Sequence, residues 1–111
     1  MYTTNKEIIS DILADIIYAS AHWVVTIKTS IPEKKLTAPC IEDKWFNCLL
    51  IGGSLTVYTI DDEKFTINFK DLSKAVSKVR KFECFKDENG WDCNFADCIL
   101  QYACFNELVY D

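Results

Sequence analysis

The sequence predicts an α+β domain: a small antiparallel sheet, made of a hairpin over Leu55 to Phe69 and a strand over Trp23 to Lys28, packed on three or four helices. Three patterns carry this expectation. Apolar residues recur at helical spacing near both ends of the chain and again after the hairpin. Two alternating segments flank Asp61-Asp62-Glu63. The β-branched and aromatic run Trp23-Val24-Val25-Thr26-Ile27 interrupts the helical stretches. With 111 residues, half of them apolar, 14% aromatic, and only three Gly and two Pro, the chain reads as a single domain over 1–111. Folding would bury on the order of two-thirds of its unfolded surface, enough for a core without disulfide or metal.

Along the chain, Thr4-Asn5-Lys6-Glu7 has the form of a capping box, so a helix is expected from about Asn5. Ile8, Ile9, Ile12, Leu13, Ile16 and Ile17 form its apolar stripe, with Asp11 and Asp15 turned away, and it should reach about Ala21. The Trp23 to Lys28 strand comes next, then a loop over Ser30 to Pro39 that holds both prolines. A short helix is expected over Glu42 to Ile51, with acids in its first turn and Gly52-Gly53 where a left-handed cap is wanted. In the hairpin, Phe65, Ile67 and Phe69 share one face and Thr66 and Asn68 the other. Leu72, Ala75, Val76 and Val79 then mark a helix from about Lys70 to Phe82. Asn89-Gly90 breaks the chain before a last helix opening near Asn94.

Charge is modest in sum and uneven in place. Twelve Lys and Arg against 17 Asp and Glu give a net charge of −5, which speaks against a general nucleic-acid coat or an anionic-membrane binder. Lys70 to Lys81 holds five cations and one acid, whereas Phe82 to Asp111 holds one cation and seven acids. No apolar run approaches the roughly 20 residues of a membrane span. The opening Met-Tyr-Thr-Thr-Asn-Lys-Glu lacks the basic and apolar regions of a secretory signal, so Cys40, Cys48, Cys84, Cys93, Cys98 and Cys104 are read as reduced thiols in a cytoplasm.

Sites for chemistry are sparse. Cys93, Cys98 and Cys104 lack the paired Cys-x-x-Cys knuckles of a zinc site, and His22 is the sole imidazole. Neither metal nor cofactor is expected. Such cysteines usually serve as small core hydrophobes. His22 lies seven positions after Asp15, where a carboxylate could orient it, although a histidine at a helix end is more commonly a partner of the dipole. Gly52-Gly53 belongs to no phosphate-loop pattern and reads as a cap and turn. No base, nucleophile and metal set can be assembled, so an enzyme is not expected.

Two constellations point to binding. Lys70, Lys74, Lys78 and Lys81 fall within about 80° of one another on an ideal helix, making one ammonium ridge, with Arg80 off it. Such a ridge could meet successive phosphates or an acidic protein surface, although many are simply solvated faces. In the closing segment, 12 of the 16 residues from Phe95 to Tyr110 are apolar. As a helix it would be apolar nearly all round, and must be either the central helix or covered by another subunit. The latter makes Phe95, Ile99, Tyr102, Phe105 and Val109 an oligomer interface, with a dimer favoured. Trp23, Trp45 and Trp91 add aromatic bulk, most of it expected in the core.

The ending from Asn94 to Tyr110, Asp97 and Gln101-Tyr102 above all, resembles that of small proteins encoded by phages, prophages and mobile elements of clostridia and related Gram-positive bacteria. The N-terminal helix running into Tyr18 to Trp23, and Gly52-Gly53 before a hairpin, are similar too. The resemblance implies no activity. It implies a context: an accessory protein acting in the cytoplasm of a host bacterium. The function expected from that context is a non-enzymatic binding protein, an inhibitor of a host defence system such as CRISPR interference acting by protein contact or charge mimicry. The alternative is an oligomeric sponge that sequesters a nucleotide immune signal, its phosphates on the lysine ridge and its base on an aromatic ring.

Overall fold

The computed structural model describes residues 4–87 and 93–110. Helix α1 spans Asn5–Ala19, strand β1 Val24–Thr29, helix α2 Ile41–Leu50, strand β2 Ser54–Thr59, strand β3 Lys64–Asn68, helix α3 Phe69–Val79 and helix α4 Cys93–Phe105. Short 3-10 turns lie at Glu33–Lys35 and Glu83–Phe85. The fold is α+β, as the sequence predicts: the described residues form four helices and an antiparallel three-stranded sheet in the order β1-β2-β3. The expected break at Asn89-Gly90 lies outside the described residues, as does Trp91.

Local chemistry sets the boundaries. The Thr4 hydroxyl accepts the Glu7 amide at 3.2 Å, which starts α1 where expected. Its stripe of Ile8, Ile9, Ile12, Leu13 and Ile16 is buried. The helix stops at Ala19, two residues short of the expected end, because the Trp23 and Val24 amides turn back to the Ser20 carbonyl. Helix α3 starts at Phe69 because Asn68 and Asp71 cap each other: the Asn68 side chain accepts the Asp71 amide at 2.9 Å and Asp71 accepts the Asn68 amide at 3.0 Å. It ends at Val79, so Lys81 lies past the helix rather than on it.

In the sheet, Leu55, Val57 and Ile67 face the helices and are buried, while Thr56 and Thr66 pair hydroxyls at 3.3 Å on the opposite face. The β1–β2 register slips between Val24 and Thr26, a bulge that leaves Val25 65% exposed. The order leaves β1 at an edge, and among the described residues no strand pairs with its outer side.

Helix α4 is central. It packs on α1 and α3 and touches β3, enclosing Phe95, Ala96, Ile99 and Leu100 within the chain's own core. It is also shorter than the apolar run implies. The Asn106 amide closes the last turn on the Tyr102 carbonyl at 3.0 Å, and Asn106 itself takes a left-handed conformation, φ 60°, that ends the helix. Residues 107–110 then double back.

Candidate functional site

The doubled-back tail is held by a buried polar network at the end of the sheet. The fully buried Gln101 accepts the Val109 and Tyr110 amides at 2.8 and 2.9 Å and donates to the Tyr110 carbonyl and the Asp97 carboxylate, both at 2.9 Å. A glutamine side chain thus does for the tail what a neighbouring strand would do. Asp97 also accepts the Ser20 hydroxyl at 2.6 Å and the Trp23 indole at 2.7 Å. Three donors on this largely buried carboxylate offset the loss of most of its hydration. Tyr110 lies flat on Trp23, ring centres 5.3 Å apart, and its hydroxyl donates to Asp61. Phe105 fills the corner against Trp23 and Phe65.

His22 meets a carboxylate here, but it is Asp97, 3.9 Å away, rather than Asp15. The distance is outside hydrogen-bond reach. Ser20 donates a hydrogen bond to Asp97 but is fully buried, out of reach of a substrate carbonyl or phosphoryl group. Among the cysteines, burial and then the charge of Asp71 push the Cys104 thiol up to about 12, which keeps it protonated and unreactive at neutral pH. Among the described residues no group of three His, Cys, Asp or Glu side chains is placed to hold a metal, and no helix is long and apolar enough to cross a membrane.

The lysines divide. Lys70, Lys74, Lys78 and Lys81 are all exposed. Lys74, Lys78 and Lys81 rim one shallow depression despite the early end of α3, whereas Lys70 does not line it. A pocket of about 330 Å³ adjoins them, lined by Asp71, Lys74, Lys78, Tyr102 and Asn106 among others. Lys78 is already engaged there: its ammonium donates to the Asn106 side chain at 3.1 Å and sits over the Tyr102 ring, 5.1 Å from its centre. That covers the aromatic face a base would need, and Asp71 adds an unfavourable charge for phosphate.

The expected oligomer interface needs correction at two positions. Phe95 is 2% exposed and Ile99 0%, because α1 and α3 cover α4 within one chain. Neither side chain is open to another subunit. Tyr102 and Phe105 are half-buried, Tyr102 against Phe82 and Phe105 against Trp23 and Phe65. Val109, half exposed on the tail, is off the helix altogether.

A larger opening lies elsewhere. A groove of about 800 Å³ runs along the outer side of β1, from Val24 to Thr29. Ile16 and Ile17 of α1 and Ala21 just past it line one part, Ile41 and Trp45 of α2 another, and Pro32 and Glu33 also contribute. Ile17 and Ile41, each 39% exposed, and Val25 leave apolar surface open beside the unpaired strand edge. Trp45 is 6% exposed, and its indole N–H is a buried donor with no hydrogen-bond partner among the described residues. No sequence signal marks this groove, because its lining comes from four elements and depends on β1 lying at the edge. The alternation of Trp23 to Thr29 gives a strand but not its neighbours.

Comparison of the chain with protein-family models, with curated proteins and with solved structures returned no match.

Proposed function

We propose that this protein is a non-enzymatic, protein-binding accessory factor of a phage or mobile element, working in the host cytoplasm by contact with a host protein, a component of a defence system such as CRISPR interference. The observation that supports the reading is the groove on β1: an open strand edge beside exposed isoleucines. These features recognise polypeptide. They are separate from the Lys70 to Lys81 ridge and from the acidic C-terminal stretch, so contact through the groove rather than charge mimicry is the favoured mode. The nucleotide-sponge reading has less support, since Lys78 occupies the face of Tyr102.

The test is affinity capture from lysate of a clostridial host, with the Ile41→Glu variant alongside and a nucleotide panel in a thermal-shift assay. A stoichiometric polypeptide is expected on the wild-type chain, lost with Ile41→Glu, with no nucleotide-dependent rise in melting temperature. Empty capture together with a nucleotide-dependent rise would replace this reading with the sponge.

A further inference from the structure

We infer that the β1 groove takes an extended segment of its partner, apolar at alternate positions and acidic at one end, which adds to the sheet as a fourth strand. The inference rests on the protein-binding reading and names the chemistry of the partner.

Four observations carry it. The outer edge of β1 is unpaired among the described residues, and its amide and carbonyl groups are matched along their length only by another extended backbone. The groove floor lies beside that edge, so every second side chain of an added strand would enter it, between Ile16 and Ile17 on one side and Ile41 and Trp45 on the other.

Size and charge then select the occupant. Thirteen residues line the groove, fewer than the roughly 20–30 per side of a stable protein dimer, which favours a short segment over a second copy of the chain. Lys28, Pro32 and Glu33 line the groove, and Lys34 and Lys35 share the 3-10 turn with Glu33. Over residues 28–35 three lysines stand against one glutamate, the Lys28 ammonium lying over the Tyr58 ring, 5.4 Å from its centre, and this local excess of positive charge favours an acid on the incoming segment.

The probe is a fluorescent, amidated peptide of two aspartates followed by alternating valine and threonine, titrated against the whole chain by anisotropy. Saturable binding is expected, weakened on the order of tenfold when lysines replace the aspartates or when the protein carries Lys28→Glu. A strand presents one edge to β1. Of two peptides N-methylated at alternate amides, one should therefore lose binding and the other keep it. Val25→Glu and Ile41→Glu, both at exposed positions, should abolish binding with circular dichroism unchanged.

Equal binding of both methylated peptides would overturn strand pairing, and undiminished binding to Ile41→Glu would overturn the groove as its place. If no peptide bound up to ~1 mM, the inferred partner chemistry would be wrong. In that case, loss of lysate capture by Ile41→Glu would still leave the protein-binding reading standing.

Discussion

Replacing Gln101 with leucine tests whether the C-terminal tail is part of the folded core. The side chain makes four hydrogen bonds of 2.8–2.9 Å, three to the tail backbone and one to the Asp97 carboxylate. At about 1 kcal/mol net for each neutral bond and about 2 for the charged one, their removal costs about 5 kcal/mol. The freed tail groups can turn to water, and buried leucine returns about 2 kcal/mol of apolar transfer. The net loss is about 3 kcal/mol, which for a domain of this size lowers the melting temperature by roughly 10 °C. Urea denaturation measures the loss, and amide exchange locates it: Val109 and Tyr110 should be protected in the wild type and exchange freely in Gln101→Leu. A loss under ~0.5 kcal/mol, or unprotected tail amides in the wild type, would refute the idea that Gln101 substitutes for a strand.

Single contacts make further predictions. A Cβ on Gly53 would lie 2.6 Å from the Cys48 sulfur and 2.9 Å from the Cys48 carbonyl oxygen, so Gly53→Ala should cost about 1–3 kcal/mol by thermal denaturation. Gly52→Ala meets no atom but must hold φ 92°, and should cost about 1 kcal/mol. The Cys104 thiol keeps its proton in the folded chain up to about 12, against 9.0 in the open. The unfolded chain therefore binds fewer protons between those values, and stability must fall as pH rises from 9 toward 12. Cys104→Ala should show a shallower alkaline loss than the wild type in pH-dependent urea midpoints. Lys70→Glu and Lys81→Glu, both at exposed positions outside the core and away from the β1 groove, should leave stability within ~0.5 kcal/mol and peptide binding intact.

Much of the fold was legible because it depends on local patterns. The stripe from Ile8 to Ile16 has a helical period, and the hairpin alternates around Asp61-Asp62-Glu63 with Asp62 in the left-handed turn conformation, φ 62°. Boundaries failed where a single side chain overrode the pattern. Leu108-Val109-Tyr110 prolongs the apolar run, yet Asn106 ends α4 and Gln101 captures the amides of Val109 and Tyr110. Asp97 and Gln101 read as polar interruptions of a greasy helix, whereas they are the buried hub that ties Ser20 and Trp23 to the tail across more than 70 positions in sequence. An ordering of strands and a meeting of four elements are long-range facts. Neither the edge position of β1 nor the orphaned Trp45 donor has a signature in consecutive residues. The lysine ridge was legible as a helical face, but the engagement of Lys78 by Asn106 and Tyr102 depends on where α4 stops.

Amide hydrogen exchange across the chain, read residue by residue with the acid-capped valine-threonine peptide present and absent, bears most directly on the binding role assigned to β1. Amides within residues 25–29 should slow on peptide addition, while those of α3 beneath Lys70, Lys74 and Lys78 stay as they were. Slowing confined to α3, with β1 unchanged, would contradict it.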